Sequence, residues 1–106
     1  MRKASEGFSI ERAANGSIRV AGTLGFANAG AALPEGDAFT SRAGGTEVDL
    51  SGLADADSAT LALILAWGAR ATQRGEQLRY RGVPEDLRAL ARLAEVEPLL
   101  GMTRET

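Results

Sequence analysis

Apolar and polar residues alternate in two short segments near the start of the chain, residues 8–12 and 17–24. The pair Asn15-Gly16 lies between them, and this dipeptide between two alternating segments is the strongest short-range signal for a β-hairpin. The same alternation returns over residues 46–50 and 77–81, which predicts two further strands. The pattern therefore predicts four short strands.

In the second half of the chain, apolar residues recur at helical spacing. Asp57 and Ser58 supply capping residues at the start of a helix predicted over residues 58–73. Pro84 stands at the first position of a last helix over residues 84–94, where proline is tolerated. The alternation of strands and helices predicts an α/β layer in which helices pack on a sheet.

The segment between the hairpin and the third strand is rich in alanine and glycine and contains Pro34. We expect a short helix within residues 27–33 and a second turn around residues 37–42. Gly44 and Gly45 are expected to interrupt the chain before the strand that follows.

The helix over residues 58–73 carries apolar residues on more than one side. A helical wheel gives one stripe for packing against the sheet, which consists of Leu61, Ile64, Leu65, Gly68 and Thr72. The opposite side holds Thr60, Leu63 and Trp67 and continues into Arg70 and Arg74. Either another element of the domain covers this side or a partner protein binds it, and the two arginines equally fit a solvated rim. We favour a partner, because a two-layer fold has few elements left to cover an outer face and because tryptophan and arginine are enriched in binding hot spots.

The composition narrows the function. The chain has 106 residues, of which 44% are apolar and 25% are charged, and this suits one globular domain. It has no cysteine and no histidine, which excludes zinc sites of the Cys/His type, disulfides, thiol nucleophiles and Ser-His-Asp triads. A net charge of −2 gives no support for nucleic-acid binding, and no apolar run has the length of a membrane span. No signal peptide is visible, so we expect a cytoplasmic protein. Because the commonest catalytic side chains are missing, we expect it to be a non-catalytic binding protein that needs no cofactor.

The segment that leads into the long helix carries a motif. Residues 48–65 read VDLSGLADADSATLALIL, and this run resembles the signature of STAS domains, the fold of anti-sigma-factor antagonists. Residues 20–29 are similar to the family's early strand and first helix, and residues 75–80 and 84–96 are similar to its following strand and helix. The resemblance implies one STAS-type domain over residues 1–106, with a small mixed β-sheet and helices packed mainly on one face.

Within the family, the chain looks most like the free-standing MlaB-like branch. Members of that branch are cytoplasmic subunits of an ABC complex that transports phospholipids and maintains outer-membrane lipid asymmetry. The resemblance implies that the partner is the ATPase subunit of such a transporter, which would hold the chain at the inner membrane without a span of its own. The alternative is an anti-sigma-factor antagonist that is switched by phosphorylation.

The resemblance also implies which residues act. The family's phosphorylatable or functionally sensitive hydroxyl falls on Ser58, directly after Asp57, although helix capping alone also accounts for this pair. The partner-facing surface falls on the start of the helix and its outer side: Asp57, Ser58, Thr60, Leu63, Trp67 and, at the rim, Arg70. Antagonists usually have glycine where this chain has Thr60 and often an acidic residue where it has Gly25, and both departures favour the transporter subunit. An uncovered apolar stripe would also allow the free chain to form a homodimer.

Overall fold

The computed structural model describes residues 2–5, 7–41 and 46–100. The interruption predicted at Gly44 and Gly45 lies outside these residues, as does Arg42 at the end of the predicted second turn.

The described residues form a five-stranded mixed sheet in which the strands lie in chain order. The strands are β1 (Arg2–Ser5), β2 (Phe8–Arg12), β3 (Ile18–Gly22), β4 (Thr46–Leu53) and β5 (Leu78–Arg81). The first three strands are antiparallel neighbours, and β3, β4 and β5 run parallel. The predicted hairpin is confirmed: β2 and β3 pair across a turn in which Gly16 has a φ of 88°, a conformation that favours glycine.

The described part of the chain contains three α-helices. α1 (Ala29–Thr40) connects β3 to β4, α2 (Ser58–Gln73) connects β4 to β5, and α3 (Glu85–Leu93) follows β5 and precedes a 3₁₀ turn over Glu97–Leu100. The predictions for α2 and α3 are confirmed. The prediction of a short helix and a separate turn before β4 is wrong over the described residues, because α1 is continuous through Pro34. A proline removes one helical hydrogen bond, and burial of Ala32, Gly36 and Phe39 on the same helix outweighs that loss.

The two faces of the sheet differ in polarity. The face toward the helices is apolar and buried, and it consists of Phe8, Ile10, Ile18, Val20, Val48, Leu50, Leu78 and Tyr80. The opposite face carries charges of alternating sign on neighbouring strands: Glu11 pairs in register with Arg19, Arg19 with Asp49, and Asp49 with Arg81. Arg81 also lies 3.1 Å from Glu47. This face is solvated, and the predicted α/β domain with helices mainly on one face of a mixed sheet is confirmed.

The structure corrects the expectation that one side of α2 is uncovered. Trp67 is fully buried, and Leu63 and Thr60 are buried with it. The Trp67 indole donates a hydrogen bond of 3.1 Å to the carbonyl of Leu33 on α1, so α1 covers the side of α2 that the wheel left without a neighbour. Thr72, by contrast, is exposed, although the wheel assigned it to the stripe that faces the sheet.

The contact between α1 and α2 depends on the absence of a side chain at Gly36. A Cβ atom at this position would lie 1.9 Å from Cε2 of Trp67, far inside the ordinary contact distance. The backbone of α1 therefore lies directly against the indole ring. α2 thus packs against both the sheet and α1, which also contacts the sheet at β2. The outer surface of α2 is reduced to small and polar residues such as Ala62, Ala69 and Gln73.

Candidate functional site

The loop that ends β4 leads into a fully formed cap at the start of α2. The Asp57 carboxylate accepts a hydrogen bond of 3.0 Å from the backbone N–H of Thr60, and the Thr60 hydroxyl accepts one of 3.0 Å from the backbone N–H of Asp57. This reciprocal arrangement is a capping box, which satisfies two backbone donors at once. The predicted capping role of Asp57 is confirmed.

Thr60 has a second role inside the molecule. Its hydroxyl donates to the backbone carbonyl of Leu24, in the loop between β3 and α1, and its side chain is almost completely buried. The residue therefore ties the start of α2 to this loop. Because Thr60 is buried, it cannot make the expected contact with a partner protein.

The Asp57 carboxylate holds the same loop from the other side. The backbone N–H of Thr60 is the largest of several hydrogen bonds, which include those from the backbone N–H groups of Phe26 and Ala59, and together they lower the pKa of Asp57 despite the opposing effect of its partial burial. The carboxylate is therefore ionised at neutral pH and accepts from donors on two elements. With its oxygens occupied in this way, it is poorly suited to act as a catalytic base.

Gly25 lies against this carboxylate. A Cβ atom on Gly25 would lie 2.6 Å from Oδ2 of Asp57, so a side chain at this position would displace the cap. An acidic side chain would in addition repel the charge of Asp57. The glycine at this position thus leaves room for the Asp57 carboxylate in the cap.

Ser58 is the one residue of the predicted site that is exposed at the start of the helix. It is the first residue of α2, and no described residue forms a hydrogen bond with its hydroxyl. Capping accounts for Asp57 but not for the hydroxyl of Ser58. The Ser58 hydroxyl is therefore available for contact with a partner or for modification.

An apolar groove opens beside Ser58, between the N-terminal halves of α1 and α2. We call it the α1–α2 groove. It has a volume of about 540 Å³ and is lined by Phe26, Ala29, Gly30, Leu33, Ser58, Ala59, Ala62, Leu63 and Ala66. Leu63 is buried, so it contributes to the floor of the groove and not to its exposed walls.

Phe26 forms one wall of this groove and is the residue that the sequence reasoning missed. Its side chain is 78% exposed, which is unusual for a large aromatic residue. The sequence contained a signal for this exposure. Phe26 lies in the turn Gly25-Phe26-Ala27-Asn28 between a strand and a helix, so it belongs to neither the alternating pattern of the strand nor the apolar face of the helix. An exposed ring next to an apolar groove is typical of a binding surface.

Arg70 lies farther along α2 and forms an ion pair with Asp37 of α1 at 3.2 Å. Its side chain is half exposed, and its place at the rim of a partner surface stays a prediction. The positive charge of Arg70 is thus paired with a carboxylate of the same chain. The ion pair links α1 and α2, whose first halves form the groove.

The described residues contain no cluster of three acidic side chains that could hold a metal ion. None of the helices in this part of the chain is both long and apolar enough to span a membrane. The chemistry that the site offers is thus an exposed hydroxyl, an exposed aromatic ring and an apolar groove, which suit binding.

Comparison with known proteins agrees with this geometry. A family model described as "Mlab, STAS domain" matches residues 9–101. No curated protein matches the chain. Domains of this family are generally non-catalytic and have a general role in protein–protein interaction. The matched residues run from β2 to the end of the 3₁₀ turn and include both N-terminal ends of the helices that form the groove, so the chain belongs to the STAS domain family.

Proposed function

We propose that the chain is a non-catalytic subunit that binds the ATPase of an ABC phospholipid transporter, at the cytoplasmic side of the inner membrane, and supports the transport that maintains outer-membrane lipid asymmetry. The observation that carries this proposal is the match to the MlaB type of STAS domain over residues 9–101. The binding site at the start of α2 supports it, because its exposed groups are suited to protein contact.

The proposed contact surface consists of Phe26, Ser58 and the walls of the α1–α2 groove. Asp57 and Thr60 act beneath it by holding the loop that carries Phe26 against the start of α2. Trp67 supports the same surface from the core, where it fixes α1 on α2. Arg70 lies farther along α2, where it pairs with Asp37 of α1, and its role at the rim of the contact is part of this proposal.

Binding at this surface would influence ATP hydrolysis only through differential affinity. A subunit without catalytic groups changes the activity of its partner by binding one conformation of the ATPase more tightly than another. The chain would therefore shift the balance between ATPase conformations and leave the chemistry to the partner.

Copurification with the ATPase subunit tests the proposal. Phe26→Ser and Ser58→Glu change exposed side chains and leave the core intact, so both variants should fold as the wild type does. We expect each to reduce the amount of bound ATPase by at least about tenfold, as hot-spot residues do. Leu93→Ser is the matched control, because Leu93 is 84% exposed but lies on α3, away from the groove. Undiminished copurification of both variants would place the contact elsewhere.

This experiment distinguishes a wrong partner protein from a wrong contact surface. If the wild-type chain does not copurify with the ATPase at all, the partner is wrong. If the wild type copurifies and Leu93→Ser weakens the complex more than Phe26→Ser does, only the surface is wrong. Trp67→Ala is unsuited to this purpose, because it removes a buried core side chain and tests folding instead.

One observation favours a second function, that of an anti-sigma-factor antagonist switched at Ser58. The hydroxyl is exposed at a helix N-terminus, where the charge of a phosphate group is stabilised by the helix dipole. The ionised Asp57 next to it opposes that charge. Incubation with a cognate kinase and ATP should then add the mass of one phosphate to the wild type and none to Ser58→Ala. An unchanged mass of the wild type would exclude this function.

A further inference from the structure

The irregular loop between β3 and α1 is held in place at several of its residues. We call residues 23–28 the Phe26 loop. The Thr60 hydroxyl donates to the Leu24 carbonyl, and the Asp57 carboxylate accepts from the backbone N–H of Phe26, so two of these contacts come from the start of α2. The Phe26 side chain is 78% exposed. The position of its ring therefore depends on the backbone that carries it and not on burial of the ring itself.

A third contact comes from Asn28, the last residue of the Phe26 loop. Its Oδ1 accepts a hydrogen bond of 2.9 Å from the backbone N–H of Gly25, and its Nδ2 donates one of 2.8 Å to the backbone carbonyl of Thr23. The Gly25 carbonyl accepts from the backbone N–H groups of Asn28 and Ala29, at 3.2 Å and 2.9 Å. The Asn28 side chain therefore closes the loop, and Phe26 lies within the closed segment.

Asn28 does not use its side chain as a residue at the start of a helix usually does. It is the N-cap residue of α1, because its carbonyl accepts from the backbone N–H groups of Ala31 and Ala32. Asparagine is preferred at this position since its side chain can accept from the exposed N–H groups of the first turn. Within the first turn of α1, all of which is described, the Asn28 side chain makes no such bond, whereas Asp57 does so for α2. The Asn28 amide thus stabilises the loop instead of the helix.

A loop that is already ordered in the free chain favours binding of an exposed ring. Ordering of side chains and loops at an interface lowers the affinity, and a segment that is held before binding avoids this loss. Without the Asn28 amide, the Thr23 carbonyl and the Gly25 N–H lose these side-chain hydrogen bonds. The contacts from α2 would then hold only Leu24 and Phe26, and the loop would gain freedom.

We propose that Asn28 is a positioning residue for partner binding, which closes the Phe26 loop and so keeps the Phe26 ring in one place at the start of α2. The inference rests on the proposed function for the identity of the partner. The ordering of the loop by Asn28 is a property of the free chain, so it can be measured without any partner.

Backbone ¹⁵N relaxation of the isolated chain tests whether Asn28 holds the loop. The order parameter of the Phe26 amide should be about 0.85 in the wild type, as in a rigid backbone, and below about 0.6 in Asn28→Ala. Asn28→Asp keeps an acceptor for Gly25 and loses the donor for Thr23, so its value should lie between these two. Asn15→Ala is the matched control, because the Asn15 side chain also accepts from a backbone N–H, at 3.0 Å, in the turn between β2 and β3. Residue 26 should be as rigid in this control as in the wild type.

The affinity for the ATPase subunit tests whether this order matters for binding. Asn28→Ala should weaken binding by about tenfold, and circular dichroism verifies that the variant is folded. In a Phe26→Ser background, Asn28→Ala should have no further effect, because Asn28 acts through the ring that is missing there. Asn15→Ala loses a side-chain hydrogen bond of the same kind and should bind as the wild type does, so a general loss of stability would not produce this pattern.

Two results would overturn the positioning role. One is an order parameter at residue 26 that is the same in Asn28→Ala and in the wild type, and the other is a loss of affinity that is as large in the Phe26→Ser background as without it. A wild type that does not bind the ATPase overturns the proposed partner instead. The order parameters then decide by themselves whether Asn28 positions the ring.

Discussion

Gly36 offers the sharpest test of how the two covering helices pack. Alanine has a better helix propensity than glycine, so Gly36→Ala within α1 should stabilise an isolated helix by about 1 kcal/mol. The tertiary structure predicts the opposite sign for the whole domain. The added Cβ atom would lie 1.9 Å from Cε2, 2.1 Å from Nε1 and 2.2 Å from Cζ2 of Trp67.

The size of the effect follows from what must move. Ordinary carbon contacts are about 3.5–4.0 Å, so either α1 shifts away from α2 or the indole leaves its position. Overpacking of this kind costs about 1–3 kcal/mol, and loss of the buried hydrogen bond from Trp67 to Leu33 costs about 1 kcal/mol more. After subtraction of the gain in helix propensity, we expect Gly36→Ala to lower the free energy of unfolding by about 1–3 kcal/mol. The Tm should fall by roughly 4–8 °C for each kcal/mol.

Urea unfolding followed by far-ultraviolet circular dichroism measures this difference. Circular dichroism is preferred to fluorescence because Trp67 is the single tryptophan and is itself at the contact. Gly30→Ala is the matched control in the same helix: a Cβ atom there meets nothing within 4 Å, so this variant should be as stable as the wild type or more stable by up to about 1 kcal/mol.

A double-mutant cycle identifies Trp67 as the obstacle. Trp67→Phe removes the fused second ring, and in that background Gly36→Ala should cost less than it does in the wild type. A Gly36→Ala variant that unfolds at the same urea concentration as Gly30→Ala would refute the close packing of α1 on Trp67. An equal cost of Gly36→Ala in both backgrounds would show that another contact is responsible.

Three further predictions concern buried and ionisable groups. Thr60→Val removes a buried hydroxyl from the cap of α2 and should destabilise the domain by about 1–3 kcal/mol in urea unfolding, whereas Thr72→Val, which changes an exposed residue, should stay within about 0.5 kcal/mol of the wild type. Burial raises the pKa of Tyr80, the single tyrosine, far above its ordinary value of 10.0, so the unfolded chain releases this proton first and stability should fall as the pH rises above about 10. An absorbance titration should show phenolate only as the circular dichroism signal is lost, and ionisation of the folded chain near pH 10 would contradict this. The pKa of Asp57 is lowered by its hydrogen bonds, so its contribution to stability is present above its ordinary value of 3.8 and is lost as the pH falls below it. The Tm of Asp57→Asn should therefore vary less with pH in that acidic range than the Tm of the wild type, and parallel curves would argue against the cap.

The elements that the sequence predicted correctly are those with a local cause. The Asn15-Gly16 turn joins two strands of alternating polarity, and the cap at Asp57 starts a helix whose apolar residues recur within a few positions. Both signals act between neighbours in the chain, so they can be recognised without knowledge of the fold. The acidic cap with a hydroxyl three residues later was also a local signal, and it could have assigned Thr60 to the cap instead of to an outer face.

The errors arose where distant segments meet. Pro34 suggested a break because proline opposes a helix locally, yet α1 continues through it since Ala32 and Phe39 are buried. The same continuous helix covers Trp67, which the helical wheel places on an outer face. A helical wheel shows which residues share a side but not what lies against that side, and the helix predicted within residues 27–33 is much shorter than α1.

The sequence by itself determined four of the five strands, the two later helices, the absence of cysteine and histidine chemistry, and the family, because these follow from local patterns and from residue identity; the first strand, β1, was not predicted. Only the tertiary structure decided which residues are at the surface. It buried Thr60, Leu63 and Trp67 and left Ser58 and Phe26 exposed beside a groove. The physical reason is that burial depends on the packing of segments far apart in the chain: the missing side chain at Gly36 lets α1 reach Trp67, and no pattern within α2 reports that contact.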